Sequence, residues 1–183
     1  MKISSPARRA TTDFAALLAA LVGLRCSGVK PSVGEPGFAP ADQPALAPVT
    51  FAFDSLDERV ISATATRGKP TVLAFVTTDS LAAQAQVDFL VAMAKRDAAD
   101  VNYVVVAIGM QDTRELVDLY RRALHVTFPV ALADGATLSG GGAFGDVRAV
   151  PVTVILDRRG RVAWRADGRV ARSTELRAAM AGL

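Results

Sequence analysis

Two apolar runs rich in β-branched residues, 70–76 (PTVLAFV) and 101–108 (VNYVVVAI), bracket a stretch with helical periodicity. Nothing else in the chain limits its fold so strongly. Runs without polar alternation are what a parallel strand needs when both of its faces are covered. Between them Val87, Leu90, Val91 and Ala94 recur at helical spacing within residues 80–95, so one face of that helix packs on a sheet. Strand, helix and strand in this order predict a right-handed βαβ unit within an α/β fold. The first strand stops at a polar turn, Thr77-Thr78-Asp79-Ser80, and the helix begins at once. A helix start carries unpaired N–H donors and partial positive charge, and open α/β sheets bind ligands beyond the strand ends where such helices begin. That turn is the natural place to look for a site.

The rest of residues 49–183 fits the same class. Phe51 and Phe53 alternate around Ala52, and Val60-Ile61 follows a polar turn at 55–59. This predicts a half-buried strand, a turn and a short apolar segment ahead of Arg67-Gly68-Lys69. Further on, Asp112 with Glu115 three residues later matches a capping box, and Leu116, Leu119, Tyr120 and Ala123 are the expected buried stripe of the helix that follows. Residues 128–132 predict a short strand. Residues 133–147 hold Gly140-Gly141-Gly142, but the G-x-x-x-x-G-K-(S/T) pattern of a phosphate loop is absent, so the cluster reads as a flexible turn. Residues 152–156 predict a buried strand and 157–160 a turn. Val162, Trp164 and Ala166 then alternate with Arg161 and Arg165, as in a strand with one wet face. Ser173 is the expected cap of a last helix that gathers Leu176, Ala179, Met180 and Leu183 on one side.

Residues 1–48 differ in kind. A polar, basic stretch over 1–13 is followed by an apolar run over 14–24 and by Arg25-Cys26-Ser27-Gly28. The run falls well short of the roughly 20 residues that span a bilayer but suits the core of a signal peptide, about 7 to 15 residues. Residues 1–28 therefore read as an export signal, with the periplasm or the membrane-anchored cell envelope as the destination. Cys26 stands where a lipid-bearing cysteine would follow such a run, although Gly23-Leu24-Arg25 departs from the small residues that precede one. Lipid attachment at Cys26, tethering the protein to a membrane, and cleavage after Gly28, leaving no cysteine, are both open. Pro31, Pro36, Pro40, Pro44 and Pro48 punctuate a segment without apolar periodicity, so 29–48 reads as an extended linker ahead of a domain over 49–183.

Charge and cysteine content exclude several functions. Lys2, Arg8, Arg9 and Arg25 against Asp13 account for the whole formal charge of +3. A neutral body gives no electrostatic reason to bind nucleic acid. The chain has one cysteine. A dithiol/disulfide cycle needs two sulfurs able to meet, and a disulfide framework or multi-cysteine zinc site needs more than one. His125, Met110 and the scattered carboxylates show no ligand spacing, so neither a metal nor a cofactor is expected.

The string GKPTVLAFVTTDSLAA, residues 68–83, resembles the redox-site segment of the thioredoxin superfamily, in particular the TlpA-like and redoxin (AhpC/TSA-like) proteins, which read G-K-P, a hydrophobic run, then F-W-A-T-W-C-x-x-C. Gly145-Asp146-Val147-Arg148-Ala149-Val150-Pro151-Val152-Thr153 resembles the segment that carries the family's cis-proline. Asp157-Arg158-Arg159-Gly160-Arg161-Val162 resembles its D-x-x-G-x-(I/V) hairpin. The likeness covers about residues 49–183 and implies a thioredoxin-like fold, a central mixed β-sheet flanked by helices with an N-terminal β-hairpin extension. Laid over the pattern without a gap, Ser80 and Ala83 occupy the two cysteine positions, while Val76 and Asp79 replace the tryptophans. No catalytic residue is expected. The peroxiredoxin turn T-x-x-C fails in the same way at Thr77 to Ser80, and Arg148 would correspond at most to that family's arginine. In the family an extended peptide lies across the cis-proline. This implies a redox-inactive envelope domain that holds a protein or peptide partner at Thr78, Asp79, Ser80, Val150 and Pro151. The alternative is a thiol-disulfide oxidoreductase or antioxidant redoxin acting with a partner's cysteines. A plainer reading stands beside each: Ser80 or Asp79 caps the helix, Pro151 serves the fold, and Arg148 is a surface residue.

Overall fold

The computed structural model describes residues 47–59 and 61–183. The expected signal over 1–28, Cys26 with it, and residues 29–46 of the expected linker lie outside the described residues. Strands β1 (Ala52–Ser55) and β2 (Ile61–Ser62) pair antiparallel, with Phe53 opposite Ile61, and form the expected hairpin. Strand β3 (Thr71–Val76), helix α1 (Leu81–Asp97) and strand β4 (Asn102–Ala107) make the βαβ unit, the two strands running parallel with Val76 opposite Ala107. Helix α2 (Arg114–Ala123) leads to β5 (Val130–Leu132), which is parallel to β4 and also takes β1 along its outer edge. After the short helix α3 (Gly135–Leu138) come β6 (Val152–Leu156), β7 (Val162–Ala166) and α4 (Ser173–Met180). The result is a mixed seven-stranded sheet in the order β2-β1-β5-β4-β3-β6-β7.

Every residue of β3 is buried, which explains its unbroken apolar run. Val72, Ala74 and Val76 join one core cluster with Val87, Leu90 and Met93 of α1, Val117 of α2 and Leu176 of α4. Leu73 and Phe75 point the other way, into a cluster with Phe51, Phe53 and Phe144. In it the Phe75 and Phe144 rings lie 5.2 Å apart, centroid to centroid. Fully burying such side chains contributes about 1.5–3 kcal/mol each, so a polar residue at any of these positions would cost more than local propensity could return.

Four local expectations need correction. Asp112 does not cap α2. Thr113 does, its hydroxyl accepting from the Leu116 N–H at 3.3 Å, because the Asp112 carboxylate is drawn across to another segment. With that start, α2 turns Val117, Tyr120 and Leu124 toward the core and leaves Leu116 (41%), Leu119 (63%) and Ala123 exposed, contrary to the expected stripe. Ser173 is the first residue of α4 and not its cap. Arg172 holds the cap position without a side-chain bond. The stretch read as a flexible turn also contains α3, capped by Asp134 through a 2.7 Å bond from the Thr137 N–H. Gly142 lies so close that a Cβ there would come within 2.9 Å of the Thr137 Cα. The glycine run thus serves close backbone approach.

Candidate functional site

Strand β3 ends at Val76, and the chain turns through Thr77, Thr78, Asp79 and Ser80 into α1. Ser80 is the helix cap, in an extended conformation with φ −93° and ψ 118°, and its Oγ accepts from the Ala83 N–H at 3.2 Å. Here the plainer reading holds: the hydroxyl satisfies a donor that the helix cannot. Ala83 is fully buried one turn on, Asp79 is exposed, and Thr78 is half-buried.

Two segments flank this turn. On one side, Phe75 lies opposite Val152 as the last pair of the antiparallel β3–β6 ladder, and Val150 and Pro151 immediately precede that end of β6. The Val150-Pro151 peptide is cis. Pro151 is buried and Val150 half-buried, so a ligand arriving here meets Val150 and the backbone and not the proline ring. The loop that delivers them is anchored by Phe144 in the aromatic cluster and by Arg165, whose guanidinium donates to the Phe144 and Asp146 carbonyls. Arg148 is occupied by Asp146, donating through Nε at 2.9 Å and Nη2 at 2.6 Å, and this guanidinium holds the Asp146 carboxyl well below the usual carboxylate range. Both groups are exposed, as the surface reading of Arg148 has it.

On the other side, Asp112 reaches across from the β4–α2 loop. Its Oδ1 accepts from the Thr78 hydroxyl at 2.5 Å and more loosely from the Thr78 N–H at 3.4 Å, while Oδ2 accepts from the Gly109 N–H at 2.8 Å. A Cβ at Gly109 would fall 2.5 Å from Asp112 Oδ2, so a larger residue here would push the carboxylate away from its place in the bridge. Sequence reasoning missed this bridge because a carboxylate before a helix looks like a cap, and the glycine three residues earlier was the only hint. Asp112→Ala is expected to cost about 1–3 kcal/mol, the range for leaving partly buried donors unmet. Hydrogen exchange should quicken at the Thr78 and Gly109 amides while Leu90 and Val105 keep their protection. Unchanged exchange at both amides would show that the bridge does not hold the turn.

Thr77, Thr78, Asp79, Met110, Asp112 and Leu116 line an open cleft of about 390 Å³ between the turn and the β4–α2 loop. Its lining includes exposed apolar side chains, Met110 at 99% and Leu116 at 41%, and Leu81, first in α1 and outside the lining, is 83% exposed. Tyr120 of α2 packs against the helical core with its hydroxyl buried and unpartnered. Burial first, then the Asp88 and Asp112 carboxylates, push this phenol above its usual range. His125 lies past the end of α2, exposed and with φ +54°, away from these residues in the chain and in no hydrogen bond of its side chain to them. Among the described residues, no group of three or more His, Cys, Asp or Glu side chains is placed to hold a metal ion. No helix among them is long and apolar enough to cross a membrane.

A mixed sheet with a helix starting at the end of its central strand, beside a cis-proline, defines a thioredoxin-like α/β protein. Its structural neighbours are thioredoxin-family thiol:disulfide oxidoreductases. One is a thiol:disulfide interchange protein of the thioredoxin family from Chlorobium tepidum TLS, 17% identical over 77% of this chain and 97% of that one, TM-score 0.66. Another is a secreted Mycobacterium tuberculosis disulfide oxidoreductase homologous to E. coli DsbE, 18% identical over 73% and 96%, TM-score 0.59. A third is the thio-disulfide isomerase of Thermus thermophilus, 26% identical over 74% and 94%, TM-score 0.59. No family model and no curated protein matches the chain. With a single cysteine, at position 26, the chain has no C-x-x-C pair.

Proposed function

We propose that this is an exported thioredoxin-like domain without dithiol chemistry of its own, which holds a protein or peptide partner at the face corresponding to the redox site. One observation supports the reading: the turn, the capped helix start and the cis Val150-Pro151 bond are in place around Ser80, while the single cysteine is at position 26, so a hydroxyl and a methyl stand where the family resemblance expects two sulfurs. An alcohol is not ionised by the modest push of a helix start, and a serine nucleophile needs a paired base. The Ser80 hydroxyl is engaged with the Ala83 N–H and has no such base. What remains usable is surface: Thr78 and Asp79 in the turn with Met110 in the cleft beside them, Val150 on the other flank, and the exposed Leu81 at the start of α1.

Export is supported by the order of charge, apolar run and small residues over 1–28, and by a neighbour described as secreted. In this reading 29–48 separates the domain from its signal or from a lipid on Cys26. The test has two arms on the full chain. With dithiothreitol as reductant, insulin reduction should proceed at the rate of dithiothreitol alone. A partner found in envelope extract should bind purified protein directly, and Thr78→Asp with Asp79→Arg should abolish that binding. Catalytic turnover that Ser80→Ala removes would overturn the reading in favour of an oxidoreductase working with a partner's cysteines.

A further inference from the structure

The cleft beside the turn has a composition that selects among partners. Met110, Leu81, Leu116 and Leu119 place four large apolar side chains at the surface of the β4–α2 loop and the two neighbouring helices, with exposures from 41% to 99%. Scattered exposed leucines are ordinary, but here Met110 and Leu116 line one cleft with Thr77, Thr78 and Asp79.

The charges around it are unbalanced. The α2 arginines are spent within the fold: Arg114 pairs with Asp54 at 2.7 Å, and Arg121 and Arg122 both pair with Asp118. Asp79 and Asp88 are exposed and enter no ion pair among the described residues. Asp112 adds a third carboxylate at the cleft wall, bonded only to neutral donors. Asp88 lies two turns along α1 from the exposed Leu81, on the same side of that helix. The free charge of this face is therefore negative. A second copy of the chain would bring like charges together, whereas a cationic segment would meet complementary ones.

We infer that this face docks a polypeptide segment of a partner in which an apolar side chain is flanked by lysine or arginine, the apolar group seated against Met110 and Leu116 and the cations answering Asp79 and Asp88. This rests on the partner-holding reading above and goes beyond it by naming the chemistry of the partner. Met110 suits the role, since its unbranched, polarisable side chain adapts to different apolar groups.

The test uses the full chain and three short dye-labelled peptides, followed by fluorescence anisotropy: phenylalanine between lysines, phenylalanine between glutamates, and alanine between lysines. The first should bind about fivefold or more tightly than the second at low salt, as expected for two exposed charge contacts. That preference should shrink toward parity at about 1 M salt, where the screening length is about 3 Å. Asp79→Asn with Asp88→Asn, two exposed positions without partners in the fold, should erase the preference with an unchanged circular dichroism spectrum. Met110→Gln should weaken the first peptide about tenfold, as loss of an interface anchor does. Equal binding of the lysine and glutamate peptides, or a preference that survives the double substitution, overturns the charge assignment and leaves the docking face in place. Alanine binding as well as phenylalanine overturns the apolar seat. A dimer that Met110→Gln abolishes gives the face to a second copy and also overturns the assignment. Binding of none of the three at millimolar concentration overturns both this inference and the partner-holding reading.

Discussion

Ser80→Cys combined with Ala83→Cys, in a Cys26→Ser background, is expected to turn this protein into a dithiol reductant. The two positions lie at the cap and third residue of α1, one turn apart, with the Ala83 N–H already aimed at the residue 80 side chain over 3.2 Å. A thiolate placed there would accept that N–H and feel the partial positive charge of the helix start. Its pKa should fall at least about one unit below the ordinary value near 8.5. The second sulfur would enter a fully buried position, where overpacking costs about 1–3 kcal/mol. The pair should form a disulfide on mild oxidation and reduce insulin at about ten times the background rate or more, since attack and release then need only one thiolate and one neighbour within reach. Alkylation rate against pH would report the thiolate directly. The single variant Ser80→Cys should show the lowered pKa without turnover. A folded double variant that forms no disulfide would mean that more than two sulfurs separates this chain from its neighbours, with Val76 and Asp79 as the first positions to examine.

Gln86→Leu should be among the most destabilising single changes in the domain. Gln86 is fully buried in α1, on the face that carries Ala83, Val87 and Leu90. Its amide is matched to one residue 85 positions away: Oε1 accepts from the Ala171 N–H at 2.6 Å and Nε2 donates to the Ala171 carbonyl at 3.3 Å. Ala171 is itself fully buried, in the segment between β7 and α4. Leucine fills a similar volume but leaves both backbone groups dry and unmet, at about 1–3 kcal/mol apiece. A loss of about 3 kcal/mol is expected, read as a fall in Tm of about 10 °C for a domain of this size. Gln86→Glu keeps one acceptor and should differ from Gln86→Leu. A Tm within about 1 °C of the parent for Gln86→Leu would show that water satisfies Ala171 instead.

These two residues mark where sequence reasoning ran well and where it stopped. Ser80 was legible because a strand that ends in a polar turn before an apolar helical stripe admits few arrangements, and the first donors of a helix need a cap. Gln86 occupies a core position of the same helix by spacing, between Ala83 and Leu90, yet its polarity concealed that, because its partner is a backbone 85 residues distant. Asp112 shows the same limit in reverse. Its spacing to Glu115 satisfied a local rule, but the Thr78 hydroxyl, 34 residues away, offered its carboxylate a better partner. That moved the cap to Thr113 and left Leu116 and Leu119 facing outward. The apolar rim of the cleft follows from that choice.

The sequence by itself determined the order of the seven strands and of helices α1, α2 and α4, the burial of β3 on both faces, and the absence of a second cysteine. These depend on periodicity and residue identity, which act over a few neighbours along the chain. Tertiary structure alone decided what faces the site: the pairing of β1 with β5, the Asp112 bridge, the buried amide contact of Gln86, and the exposure of Met110. Each is set by which distant groups meet in space, where one long-range hydrogen bond or one turn of helix rotation outweighs a preference worth a fraction of a kcal/mol, about 0.5, in the local sequence.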